Sequence, residues 1–132
     1  MKRVLLIEDD KGFRTLLKRL LEKKFDSKVF EADDGASGLI SFEKDRPHII
    51  FLDLEMPNMN GVQFLEKIQN RTRQVAVVVM TNHDEKEYVE KIIQMGVDDY
   101  LLKTKFVTQL YERIEILLKK IKQTTRIERS TR

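Results

Sequence analysis

The chain has no cysteine, and that absence excludes a disulfide framework, a thiolate metal centre and a cysteine nucleophile. It also fits a reducing compartment. Histidine is scarce: His48 and His83 are too few for a zinc site built mainly from imidazoles. Long apolar runs are missing too. The first run, Val4–Ile7, gives way at once to Glu8, Asp9 and Asp10, and is too short for the apolar region of a signal peptide. No later run approaches the length that spans a bilayer. A cytoplasmic protein with no membrane partner is the expectation.

Nor does one sign of charge dominate. The net charge of +3 is unevenly spread, since residues 105–132 carry eight basic and three acidic side chains while residues 1–104 sum to −2. A basic end is one mark of nucleic-acid binding. A solvated helix end accounts for it more simply, because cations at a helix C-terminus face the negative end of the dipole. No direct contact with nucleic acid is expected. What remains is a composition of 41% hydrophobic and 36% charged residues over 132 positions, sufficient for one domain with a single core.

Short apolar runs alternate five times with stretches of helical period. Val4–Ile7 and Ile49–Leu52 are continuously apolar, as strands covered on both faces are. Val29–Ala32 is weaker and is placed at a sheet edge; Val75–Met80 and Tyr100–Leu102 complete the set. Between them, Phe13, Leu16, Leu17, Leu20 and Leu21 recur at the spacing of one buried helix face, with Asp10 placed to cap its start. A second helix from about Asp34 buries Leu39 and Phe42, with Gly38 allowing close approach to the sheet and Pro47 ending the region. A third, after Gly61, is marked by Phe64, Leu65 and Ile68. A fourth, capped by Asp84 and closed by Gly96, turns Val89, Ile92 and Ile93 inward. Phe106, Leu110, Ile114, Leu117, Leu118 and Ile121 form the inner stripe of the last. Strict alternation implies parallel pairing through right-handed crossovers, hence an α/β fold with a five-stranded parallel sheet and helices on both faces.

Ligands of an open parallel sheet bind beyond the carboxyl ends of its strands. Here the first strand is followed by Glu8, Asp9 and Asp10, the third by Asp53, the fourth by Thr81 and Asn82, and the fifth by Lys103. Asp33 and Asp34 after the second read as a turn and a helix cap. A single aspartate in such a place is more often a turn or cap residue than a nucleophile. Coincidence carries the weight, since four of five strand ends offer groups from one chemical set. Glu8, Asp9 and Asp53 at one rim would repel one another, and a hard divalent cation such as Mg²⁺ relieves this while leaving positions for water and phosphate. Lys103 adds a positive charge and Thr81 a hydroxyl donor. Together they make a phosphoryl-transfer site with an aspartate nucleophile.

The segments Val4–Asp10, Ile49–Pro57 with Gly61, Val77–Thr81 and Gly96–Lys103, in this order and without a large gap, closely resemble the receiver domains of bacterial two-component systems. The resemblance covers residues 1–122 and leaves 123–132 as a basic polar tail or the start of a linker. It implies a doubly wound, flavodoxin-like sheet of strand order 2-1-3-4-5 with five helices. It also implies that Asp53 is the phosphoacceptor, supplied by a histidine kinase or phosphotransfer protein. Glu8 and Asp9, with Asp53 and the backbone carbonyl of Glu55, then hold Mg²⁺. Thr81 becomes the switch hydroxyl, Tyr100 the switch aromatic and Lys103 the partner of the phosphate. Glu55 and His83 fall at positions that tune phosphate loss. Read without the resemblance, Tyr100 is a half-exposed strand aromatic and His83 a surface residue at a helix start.

Two residues depart from the family's pattern. Glu8 stands where many members have Asp, and Thr104 where proline usually follows the lysine. In the family the peptide bond after that lysine is commonly cis. A cis bond before a non-proline residue costs about 2.5–4 kcal/mol, so Lys103–Thr104 is predicted trans.

The sequence therefore reads as a signalling module that catalyses only its own phosphorylation and dephosphorylation. Two rivals are a magnesium-dependent phosphohydrolase with an aspartyl-phosphate intermediate, loosely suggested by Asp53-Leu54-Glu55, and a receiver-like domain that acts only by binding proteins. Asp98-Asp99-Tyr100 and Arg113 resemble receivers that form homodimers through the fourth helix, fifth strand and fifth helix, often above a DNA-binding domain. Nothing after Ile121 is expected to build a recognition helix with a core of its own.

Overall fold

The computed structural model describes residues 1–56, 59–69, 75–104 and 107–130, with 122–130 described by backbone alone. Five strands alternate with five helices: β1 (Lys2–Ile7), α1 (Lys11–Lys24), β2 (Ser27–Ala32), α2 (Gly35–Asp45), β3 (Ile49–Asp53), α3 (Gly61–Ile68), β4 (Ala76–Thr81), α4 (Lys86–Gln94), β5 (Asp99–Leu102) and α5 (Val107–Ser130). All neighbouring strands pair in parallel, in the order β2-β1-β3-β4-β5. The expected doubly wound α/β fold is present, with β2 at an edge.

Alternation along each strand sorts the core into two layers. Val4, Leu6, Ile49, Phe51, Val78, Met80 and Leu101 face α1 and α5, where they meet Leu17, Leu20, Leu21, Leu110, Ile114 and Leu117. Leu5, Ile7, Ile50, Leu52, Val77 and Val79 face the other helices, packing with Phe42, Phe64, Ile68 and Ile92. A side chain of this size contributes about 1.5–3 kcal/mol when fully buried, so the three central strands anchor the sheet from both sides. Gly38 does allow close approach, since a Cβ there would lie 2.6 Å from Ile7 Cδ1.

The helix starts follow the sequence in α1 and α2. Asp10 accepts from the Phe13 N–H and Asp34 from the Ser37 N–H. Asn60 and Gln63 form a reciprocal capping box at α3. Two expectations for α4 need correction. Its N-cap is Glu85, with no side-chain capping bond, so Asp84 does not cap it. Ile93 is 56% exposed, whereas Ile92 is buried. Successive helix residues are about 100° apart, and α4 rests on the sheet along a stripe too narrow to cover both. Gly96 closes the helix as expected, at a φ of 80° that glycine adopts without a Cβ penalty.

No peptide bond among the described residues is cis, so Lys103–Thr104 is trans as predicted. Phe106 lies outside the described residues. Helix α5 continues without a break to Ser130, through the stretch read as a tail or the start of a linker.

Candidate functional site

The register of the sheet brings the acids together. Leu6 pairs with Phe51 and Ile7 with Leu52, so one step further Glu8 comes opposite Asp53. Each lies two residues beyond a core side chain on the α1–α5 face, and Lys103 lies two beyond Leu101 on that same face. The strand geometry therefore points all three side chains toward one rim. An oxygen from each of Glu8, Asp9 and Asp53 falls within 4.8 Å of the others.

Lys103 enters this cluster from β5. Its Nζ lies 2.5 Å from Glu8 Oε1 and 3.2 Å from Asp53 Oδ2. Asp53 Oδ1 accepts the Glu55 N–H at 3.0 Å, which fixes the rotation of the carboxylate. Gly61 makes that loop possible. A Cβ at Gly61 would sit 2.6 Å from the Asp53 carbonyl oxygen and 2.7 Å from Leu54 Cα, while its own N–H donates to the Leu54 carbonyl.

Glu8 is wholly buried, yet among the described residues neither of its carboxylate oxygens has a hydrogen bond of good geometry. Its contact with Lys103 is an ion pair that lacks the angles of a hydrogen bond. Burial, helped by Asp53, pushes the Glu8 carboxyl up to about 8 despite Lys103. Asp9 is also raised, by desolvation first and Asp53 second. Burial acts the same way on Asp53, but the neighbouring Glu8 carboxyl, the Glu55 N–H and Lys103 outweigh it and hold Asp53 below the usual carboxylate range. For Lys103, burial disfavours the ammonium, and Glu8 with Asp53 more than restores it. Three carboxylates converging within 4.8 Å, one of them buried with no hydrogen bond to either oxygen, fit a hard divalent cation of the Mg²⁺ type.

Thr81 ends β4 next to this rim. It is buried, and its Oγ1 accepts the His83 N–H at 3.0 Å. Tyr100 stands apart, half-buried against the layer facing α2–α4, with the Arg113 guanidinium 5.8 Å above its ring. Glu55 and His83 meet each other instead, with His83 Nε2 2.7 Å from Glu55 Oε1 and its ring 4.7 Å from that of Tyr88. Asp98 turns out to serve the sheet, where its Oδ2 accepts the Val77 N–H at 2.7 Å. Asp99 is paired within the chain by Arg113 at 3.4 Å and Lys120 at 3.0 Å.

Two residues reach the cluster that the sequence reading did not assign to the site. Phe13 places its ring 5.3 Å from Lys103 Nζ. Arg14 donates from Nη1 to the Glu8 carbonyl at 2.7 Å and pairs with Glu31. Helical phase was the available signal: an Asp10 cap fixes where the first turn of α1 points, and Phe13 and Arg14 lie on it.

A doubly wound parallel sheet whose first and third strands end in carboxylates, faced by a lysine from the fifth, defines an α/β domain built around a cation-suited acidic rim. The response regulator receiver domain matches residues 4–115, and the chain belongs to that family. It is 32% identical over 116 residues to the transcriptional regulatory protein DegU of Brevibacillus brevis, covering 86% of this chain and 49% of that protein. It is 37% identical over 101 residues to the nitrate/nitrite response regulator protein NarL of Escherichia coli, covering 76% of this chain and 47% of that protein. The REC domain of AraT, a response regulator from Geobacillus stearothermophilus, superposes with a TM-score of 0.79 at 28% identity, over 94% of this chain and 98% of that one. The chain spans about half the length of the curated relatives it matches.

Receiver domains of two-component systems generally bind Mg²⁺ through an acidic cluster, and this chain carries such a cluster. They typically work with a histidine kinase or a phosphotransfer protein. No helix among the described residues is long and apolar enough to cross a membrane.

Proposed function

We propose that this receiver is a phosphorylation-operated switch in which Asp53 accepts a phosphoryl group from a histidine kinase or phosphotransfer protein. The observation that carries the reading is the convergence of Glu8, Asp9 and Asp53 oxygens within 4.8 Å, with Lys103 Nζ 3.2 Å from Asp53. Glu8, Asp9, Asp53 and the Glu55 carbonyl would hold Mg²⁺. Bound there, it would offset charge on the transferring phosphoryl group.

The protein's own groups do the rest. The Glu55 N–H keeps the Asp53 carboxylate turned toward the rim, and Lys103 pairs with its other oxygen at 3.2 Å. An Asp53 oxygen attacks phosphorus, the bond from phosphorus to the donor imidazole nitrogen breaks, and its electron pair stays on that nitrogen. Lys103 then pairs with a phosphoryl oxygen. Thr81 donates to another, giving up the bond it accepts from the His83 N–H. That N–H lies just before α4, so the exchange reaches the helix directly. Tyr100 moves with Thr81, and the surface of α4, β5 and α5 changes for a partner, an output domain or a second copy of the chain. Glu55 and His83, paired at the mouth, tune phosphate loss.

Intact-mass spectrometry with acetyl phosphate tests this. One phosphate-sized adduct is expected with Mg²⁺, and none with EDTA or in Asp53→Asn. A full adduct in Asp53→Asn would overturn the assignment.

A further inference from the structure

We propose that Arg14 is a positioning residue that fixes the Glu8–Asp9 peptide for metal binding by bridging the Glu8 carbonyl to Glu31; this rests on the reading of Glu8, Asp9 and Asp53 as the Mg²⁺-holding acids. The Glu8 N–H donates to the Ala32 carbonyl of β2 at 3.0 Å. Its carbonyl is held from the other side by Arg14 Nη1 at 2.7 Å, in a partly buried bond. That peptide plane decides where both acids point, with Glu8 turned inward and wholly buried and Asp9 left exposed.

Arg14 is itself held firmly. Its N–H donates to the Asp10 carbonyl at 2.9 Å, and Asp10 caps the helix through the Phe13 N–H. At its outer end, Nε lies 3.2 Å from Glu31 Oε1, and Lys18 Nζ grips Glu31 Oε2 at 3.2 Å. Glu31 sits opposite Leu6 on the edge strand. It offsets a guanidinium charge that would otherwise repel a cation at the rim. An isolated exposed ion pair contributes little. Arg14 differs because its side chain is only 16% exposed and one arm is committed to a backbone carbonyl. Removing a group that orients metal ligands typically weakens metal affinity about 10–100-fold.

The test is a Mg²⁺ titration of the whole unphosphorylated chain, followed by amide NMR, with melting temperatures in EDTA recorded alongside. Arg14→Ala is expected to raise Kd about tenfold. Arg14→Lys, able to reach one partner but not both, should raise it less. Glu31→Gln should also weaken binding, and should add little in the Arg14→Ala background, because the two act as one bridge. Unchanged affinity in Arg14→Ala and Glu31→Gln, with Asp9→Asn weakened, would overturn the proposal and leave the proposed function standing. Absence of binding in the unmodified chain, or no effect of Asp9→Asn, would instead overturn the metal reading itself. If Arg14→Ala melts too low to titrate, Arg14→Lys and Glu31→Gln decide the same question.

Discussion

The two sides of the acidic rim are built to different standards. On the side of β1 and β3, α1 buries Leu17, Leu20 and Leu21, and α3 buries Phe64 and Ile68 along with Gly61. Helices α1, α2 and α3 each begin with a side-chain cap. On the side of β4 and β5, α5 buries Leu110, Ile114 and Leu117 on one face, but on the other α4 buries Ile92 alone and has no capping side chain, and β5 is four residues long. A cap is worth about 0.5–2 kcal/mol and each buried aliphatic chain about 1.5–3 kcal/mol, so α4 is held several kcal/mol less firmly than α1. The acids that would hold a cation stand on the firm side. Thr81, Tyr100 and Lys103 border the loose one. A switch needs that division, because local opening is cheapest where burial and capping are least.

The comparison breaks most visibly in the core. Phe51→Ala, at a fully buried position of β3, is expected to cost about 3–5 kcal/mol in urea unfolding. A loss below 1 kcal/mol would show that the firm side is not anchored there. Next comes Gly61→Ala, where the added Cβ meets the Asp53 carbonyl and the Leu54 backbone. Its cost should be about 1–3 kcal/mol, with phosphorylation by acetyl phosphate slowed as Asp53 shifts. Wild-type rates would mean the loop yields without moving the carboxylate.

The caps sharpen the contrast. Asn60→Ala should cost about 0.5–2 kcal/mol, whereas Glu85→Ala, which removes no capping bond, should stay within about 0.5 kcal/mol. Equal losses would contradict the difference between α3 and α4. The acids of the rim add a dependence on pH. Burial raises Glu8 from its ordinary 4.5 to about 8, so the folded chain keeps a proton that the unfolded chain releases. That contribution is present below the ordinary value and is lost as pH rises through the folded one. Asp53 acts oppositely, its contribution being lost as pH falls. In EDTA the melting temperature should therefore decline from about pH 4.5 to about pH 8, and Glu8→Gln should flatten the decline. Mg²⁺ affinity should rise over that range, because the cation displaces the proton. A flat profile in the unmodified chain would show that Glu8 is not buried as described.

The sequence was most readable where a period repeats. Continuous apolar strands and their polar ends placed Glu8, Asp53 and Lys103 at one rim, and the sheet register brings them together. It was least readable in α4. Val89, Ile92 and Ile93 satisfy an apolar stripe on paper, but only Ile92 is buried, because this helix touches the sheet along so narrow a line. Asp98, read from the sequence only as part of a pairing surface, also closes the β4–β5 ladder through its carboxylate. Arg14 was passed over because a charged residue beside an apolar stripe reads as a solvated flank. Its bond to the Glu8 carbonyl depends on the angle of α1 to β1, which periodicity does not encode.

The most direct test of a firm side and a responsive side is amide NMR of the chain with Mg²⁺, before and after addition of beryllofluoride as a phosphoryl mimic. Shifts should spread from Asp53 through Thr81 and His83 along α4 to Tyr100 and Lys103, while α2 and the body of α1 stay still. Shifts confined to residues 8–10 and 53–55, or spread evenly over both sides, would contradict the account.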